Sequence, residues 1–172
     1  MRKPNRKGRS PVSIEKVRAY FRPLGREQDI LEFEVSSATV ELAAQAVGVE
    51  PARIAKSLSF LVDGRCALII AAGDAKVDNK KFKAQFATKA KMLTAEQVVD
   101  FTGHAIGGVC PFAIEREDVD TYLDASLQRF DTVYPAAGSS NSAIPLTCAE
   151  LEQYACNCRG WVDVCKGWNG EN

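Results

Sequence analysis

Lys56 and a glycine-rich stretch far downstream carry the residue types in this chain best suited to chemistry. The lysine lies in Pro51-Ala52-Arg53-Ile54-Ala55-Lys56-Ser57-Leu58-Ser59-Phe60, at the entrance to an apolar run. If the chain is extended from there, strand alternation puts Lys56, Leu58, Phe60 and Val62 on one face and Ser57, Ser59 and Leu61 on the other. A cation sharing an apolar face is a candidate site group. The alternative is that Lys56 closes a short helix begun by Pro51, solvated and complementing the negative helix end. The downstream stretch is Gly103-His104-Ala105-Ile106-Gly107-Gly108-Val109-Cys110-Pro111-Phe112-Ala113. Glycine permits close backbone approach and proline fixes a turn, so such a loop can hold carbonyl and amide groups against a ligand. The same residues also occur as plain loop punctuation.

Other catalytic constellations are poorly supplied. The chain has one histidine, His104, so any Ser-His-Asp or Cys-His arrangement depends on it. Nothing in the sequence pairs it with a nucleophile, and a structural hydrogen bond in the loop is the expected role. Asp74 and Asp78 either hold the lysine-rich 76–81 segment or act as turn and N-cap residues. Of six cysteines, Cys148, Cys156, Cys158 and Cys165 lie late in the chain, but their spacing is not a standard zinc pattern and no histidine is near. Free thiols are expected, with no metal and no cofactor. Cys110, inside the glycine loop, either touches a ligand or oxidant, or packs as a small apolar residue.

Three segments in order resemble one family. Ile54-Ala55-Lys56-Ser57-Leu58 looks like its lysine segment. Gly107 to Pro111 looks like its Gly-x-x-x-Pro loop, and Gly138-Ser139-Ser140-Asn141-Ser142-Ala143-Ile144 like its late Gly-Ser turn and strand. With the intervening Gly73-Asp74-Ala75-Lys76-Val77-Asp78-Asn79-Lys80-Lys81, they resemble the YbaK/ProX group of aminoacyl-tRNA deacylases, which includes the editing domain of some prolyl-tRNA synthetases. The likeness runs over about residues 13–151; the basic start and the cysteine-bearing tail from Tyr154 fall outside it.

The resemblance implies a free-standing trans-editing hydrolase. It would cleave the ester of a mischarged tRNA, most plausibly tRNA(Pro) carrying a small amino acid such as cysteine or alanine. Lys56 would orient the substrate and stabilise charge building on the carbonyl oxygen, a tRNA hydroxyl would help activate water, and no covalent nucleophile is needed. Gly107, Gly108, Val109, Cys110 and Pro111, with Gly138 and Ser139, would frame the substrate. Lys76, Lys80 and Lys81 would contact tRNA. The implied partners are the aminoacyl-tRNA acceptor end and an aminoacyl-tRNA synthetase. The alternative is a non-catalytic tRNA- or synthetase-binding module of the same fold, but a pure binding module has no need for a lysine on the apolar face.

Composition sets the frame. At 172 residues, 18.7 kDa and 46% hydrophobic residues, the chain is long enough to bury one core. No apolar run is long enough for a membrane helix and the start lacks a signal peptide's apolar stretch, so a cytoplasmic protein without a membrane partner is expected. Formal net charge is zero, yet Arg2, Lys3, Arg6, Lys7 and Arg9 supply five of its 22 basic residues. The remainder is net negative and is not a basic nucleic-acid binder. Residues 1–12 read as a basic, disordered tail, either an arm on tRNA phosphates or a solvated extension, and residues 13–172 as one domain.

The elements that must position Lys56 and the loop are well punctuated. Ser13 can cap a helix carrying Ile14, Val17 and Phe21 and ending at Gly25. A strand over 31–35 follows, then a helix capped by Ser36 or Ser37 and ending at Gly48. Strands over 58–62 and 66–72 flank Asp63-Gly64-Arg65 as a hairpin, the second buried on both faces. A helix over 79–86, a short strand over 91–93 and a helix capped by Thr94 and Gln97 come next. Strands are expected over 120–123, 132–134 and 143–146, then a helix capped by Thr147 and Glu150, and an edge strand over 161–165. Hairpins beside helices without strict alternation give α+β, with a mixed, largely antiparallel sheet. The resemblance adds that the sheet is curled, approaching a barrel surrounded by helices.

Overall fold

The computed structural model describes residues 13–170. The basic start, including the five cations assigned to the tail, lies outside the described residues. In chain order the elements are α1 (Ser13–Phe21), β1 (Leu31–Glu32), α2 (Val40–Val47), β2 (Ile54–Val62), β3 (Arg65–Ala72), β4 (Lys76–Val77), α3 (Asn79–Phe86) and α4 (Ala95–Thr102). They continue with β5 (Val119–Asp124), β6 (Tyr134–Pro135), β7 (Ser142–Ala143), α5 (Cys148–Tyr154), β8 (Cys158–Val162) and β9 (Cys165–Lys166).

The spine is the β2–β3 hairpin. Asp63 and Gly64 both adopt positive φ, 51° and 75°, the conformation a two-residue turn needs to match strand twist. The register runs from Val62 opposite Arg65 to Ala55 opposite Ala72. From Cys66 to Ala72 no residue is more than 3% exposed, which explains the unbroken apolar run. Around this hairpin the central sheet is ordered β6-β2-β3-β5-β8. It is mixed, as expected, but parallel pairing is commoner inside it than the hairpin pattern implied. The β2–β3 ladder is antiparallel, whereas β6, β5 and β8 all join in parallel. Antiparallel pairing dominates the flanking two-strand sheets, β1–β7 and β4–β9. The physical reason is the long excursion between β3 and β5, which carries two helices and returns the chain to its starting end, as a parallel crossover requires.

The helices start where their caps place them. Thr94 with Gln97 and Thr147 with Glu150 form complete capping boxes, each cap worth about 1 kcal/mol. For α2 the structure corrects the cap: Thr39, not Ser36 or Ser37, accepts the Leu42 amide at 3.1 Å. The strand expected over 31–35 shortens to β1, because Phe33 and Ser37 donate instead to the carbonyls of Asn141 and Ser140. Two aromatic clusters close the core. Phe21 packs edge-on against Phe112 at 4.8 Å and Tyr154 at 5.6 Å; Phe60, Phe82, Phe86 and Tyr122 form a chain with centroids 4.7–4.9 Å apart. Among the described residues no helix is long and apolar enough to cross a membrane.

Candidate active site

Lys56 occupies β2 where the strand emerges from the 3₁₀ turn Pro51–Arg53, so it belongs to the sheet and does not end a helix. Its ammonium donates to the carbonyl oxygens of Gly73, at 3.3 Å, and Ala75. These carbonyls belong to the turn that follows β3. Gly73 is required there because a Cβ would stand 2.0 Å from the Pro51 carbonyl oxygen. Asp74 in the same turn is clamped by Arg129 through bonds of 2.6 and 3.0 Å, so the acceptors for Lys56 are held from both sides. Burial pushes the Lys56 pKa below the ordinary lysine range, with nearby Asp74 working the other way.

Lys56 also contributes to the wall of a cavity of about 280 Å³. Gly107 and Val109 of the glycine loop form part of the same wall, so the structure brings the two segments together across the sheet's mouth. The rest is mostly apolar, from α2, β2, Leu93 and Val98, with Met92 and Ile106 at the rim, 61% and 66% exposed. Among the described residues no backbone acceptor takes the Gly107 or Val109 amide.

The other loop residues stand behind the wall. Gly108 packs against the Gly138–Ser139 backbone, where a Cβ would meet the Ser139 amide nitrogen at 2.8 Å. Gly138, with φ 95°, is equally confined, its absent Cβ lying 2.6 Å from the Ser13 carbonyl oxygen. The late Gly-Ser turn therefore supports the loop and does not line the cavity; Ser142 and Ala143 just beyond it do. Cys110 and Pro111 are also off the cavity. The Pro111 carbonyl accepts the Cys156 amide at 2.8 Å. Cys110 is fully buried with its sulfur 3.5 Å from His104 Nε2, and burial pushes its thiol up to about 12. Its role is packing.

His104 is 0% exposed and anchors the loop. Its Nε2 bonds the Phe112 carbonyl at 2.7 Å and its Nδ1 meets the Ser13 hydroxyl. With a carbonyl as partner Nε2 must carry the proton, and in the neutral ring Nδ1 then accepts from the Ser13 hydroxyl. Burial lowers its pKa, although the Phe112 carbonyl favours the charged form. His104 is thus buried in the core, Ser13 is partly exposed, and neither residue lines the cavity.

The lysines divide. Lys76 is exposed. Lys80, with Lys83 and Lys89, lines a shallow groove of about 430 Å³. Lys81 is instead tied to Asp163 at 3.1 Å and the Cys165 carbonyl at 3.0 Å, which fastens α3 to β9. Asp78 is the α3 N-cap, accepting the Lys80 and Lys81 amides. Among the described residues no group of three or more metal-ligating side chains converges, and all six cysteines are free.

Sequence reasoning missed Ser37, Ser57 and Ser59, which also line the cavity. The last two had a signal: polar residues at alternate positions in an otherwise apolar strand mark one face for something other than core. Ser37, on an irregular segment, had none.

A sequence profile for the aminoacyl-tRNA editing domain matches residues 34–154. Uncharacterized protein YwhH of Bacillus subtilis (strain 168) is 54% identical over 158 residues, 91% of this chain and 99% of that protein. A proline--tRNA ligase of Bacillus licheniformis is 29% identical over 108 residues, 62% of this chain but 18% of the ligase. Among solved structures, a candidate trans-editing enzyme for prolyl-tRNA synthetase superposes with a TM-score of 0.80 at 28% identity, covering 92% of this chain and 100% of that one. Hypothetical protein APE2540 gives 0.76 at 26% identity, covering 88% and 99%.

Proposed function

This chain belongs to the aminoacyl-tRNA editing domain family, and from that premise we propose that it is a free-standing deacylase that hydrolyses the ester of a mischarged tRNA, with tRNA(Pro) carrying a small amino acid as the leading substrate. The observation that carries the reading is that Lys56, Gly107 and Val109 line one cavity, the two loop residues having no backbone acceptor for their amides among the described residues. Ester hydrolysis builds negative charge on the carbonyl oxygen. A positioned ammonium and preorganised amides stabilise that charge, and each such donor is typically worth about a hundred- to a thousandfold in rate. Lys56 supplies the charge from a fixed position, since its carbonyl acceptors lie on a turn braced by Pro51 and Arg129. Among the described residues no hydroxyl on the cavity is hydrogen-bonded to a basic side chain, which fits direct attack by water, with a tRNA hydroxyl assisting.

The tRNA is proposed to run along α3. Residues 79–91 contain five lysines and no acid, against a body that is otherwise net negative. Lys80, Lys83 and Lys89 share one groove, and the chain leads directly from Lys89 to Met92 and Leu93 in the cavity wall. Phosphates on that groove would present the acceptor end to the cavity. Lys81, spent on Asp163, takes no part. The decisive experiment is a deacylation panel with purified protein and tRNA(Pro) charged with alanine, cysteine, serine or threonine. Release of amino acid above the uncatalysed rate supports the reading, and none from any substrate refutes it.

A further inference from the structure

Lys56 can act only where its acceptors put it. An ammonium has three donors, and the Gly73 and Ala75 carbonyls take two of them, so the turn over residues 73–75 sets the point from which the charge acts. That turn is tied to segments far along the chain. Just ahead of it, the Ala72 amide donates to Ser126 Oγ at 3.1 Å, in the 3₁₀ turn Ala125–Arg129. Just behind it, β4 pairs with β9, Lys76 opposite Lys166 and Val77 opposite Cys165. At its centre, both carboxylate oxygens of Asp74 accept from Arg129.

Arg129 is fixed from several further directions. Its Nε donates to the Ser126 carbonyl at 2.9 Å and its Nη1 to the Trp168 carbonyl at 3.2 Å. Its guanidinium carbon lies 4.8 Å from the centroid of the Phe130 ring and 5.1 Å from that of Trp168. Trp168 is pinned in turn, its indole N–H donating to the Cys165 carbonyl at 3.3 Å. One planar group thus joins the 73–75 turn, the 125–129 turn and the C-terminal segment, which lies beyond the residues 34–154 matched by the editing-domain profile. A lone exposed ion pair would place nothing so firmly, whereas a guanidinium fork with four directed bonds holds one geometry.

We propose that Arg129 and Trp168 are positioning residues for Lys56, holding the 73–75 turn so that the ammonium stays at the cavity wall. Neither residue lines the cavity; both act through Asp74 and the two carbonyl acceptors. The inference rests on the deacylase reading and adds the C-terminal segment to its working parts. Misplacing a catalytic group by about 1 Å can cost about a hundredfold in rate, so a loosened turn is felt in turnover.

The test compares the full-length wild type with Arg129→Lys, which keeps the charge but loses the planar fork, and Trp168→Ala, which keeps every charge. The second variant keeps the test open should the first fail to fold. With alanyl- and cysteinyl-tRNA(Pro), kcat should fall by about tenfold or more in Arg129→Lys and fall less in Trp168→Ala, with KM unchanged in both. A readout independent of activity is the rate at which acetic anhydride labels Lys56, followed by peptide mass spectrometry with the exposed Lys83 as reference. It should rise severalfold in the variants as the ammonium leaves its acceptors. Unchanged kcat, a loss confined to KM, or Lys56 labelling at the wild-type rate in both variants overturns the inference and leaves the deacylase reading intact. Hydrolysis of neither ester by the wild type overturns the deacylase reading and the inference with it.

Discussion

The α-carbon of Gly108 lies so close to Ser139 that a Cβ on it would stand 2.8 Å from the Ser139 amide nitrogen. The loop that borders the cavity thus meets the late Gly-Ser turn backbone to backbone, and neither partner can retreat as a flexible side chain would. Gly138, the other half of the contact, is itself pressed on Ser13 at the start of α1. The cavity wall is therefore braced by a stack of three segments distant in sequence.

Gly108→Ala should consequently break the wall. Overpacking of this kind typically costs about 1–3 kcal/mol, so the variant should melt at a lower temperature and lose most deacylation. Gly107→Val should also impair turnover, since Gly107 has φ 94° and its Cβ would meet those of Ala38 and Ser140 at 3.3 and 3.4 Å. Melting curves and kcat/KM for both variants check this; normal values in either would make the loop a mere connector.

Lys56→Ala should lower deacylation by about two orders of magnitude while the fold stays intact. Burial lowers the Lys56 pKa from the usual 10.5, so the cation is lost at a lower pH than in a solvated lysine. The enzyme-dependent rate should fall as pH rises through that lowered value. A pH–rate profile, corrected for uncatalysed hydrolysis and compared with Lys56→Arg, measures it. A flat alkaline limb in the wild type would count against a role for the charge.

His104 predicts acid sensitivity. Its pKa is lowered in the folded protein from about 6.5, so the unfolded chain binds the proton more readily. The stability linked to it is fully present above pH 6.5 and declines as pH falls from there towards the folded value. Denaturant midpoints should fall for the wild type as the medium is taken from about pH 7.5 to about pH 5, and fall less for His104→Gln, which carries no titrating ring. Parallel curves for the two proteins would locate the acid sensitivity elsewhere.

Replacing Lys80, Lys83 and Lys89 together by Gln should raise KM for aminoacyl-tRNA and flatten its salt dependence, because fewer counterions are released on binding. Removing a lysine that neutralises one phosphate should reduce the slope of log affinity on log salt by about one. Lys81→Gln should act differently: without its ion pair to Asp163, α3 is held less firmly on β9, and the main effect falls on stability. An unchanged salt slope in the triple variant would remove the groove from the tRNA path.

The amino-acid sequence by itself determined the local elements and the identity of the key segments. Alternation through 58–62, the Asp63-Gly64 turn and the unbroken 66–72 run specify the hairpin because side-chain period and turn chemistry are local properties. Both capping boxes were legible for the same reason. The Lys56 segment and the glycine loop were recognisable together by type and order. Tertiary structure alone decided what these residues face. It put Gly107 and Val109 on the cavity but Cys110 and Pro111 behind it, spent Lys81 on an ion pair with Asp163, and sealed the one histidine in the core. It also set the parallel pairing of β5 with the hairpin and of β8 with β5, and drew Ser37 to the wall that holds Ser57. Each of these depends on contacts between segments far apart in the chain, where packing and close backbone approach select one arrangement among many that local preferences permit equally.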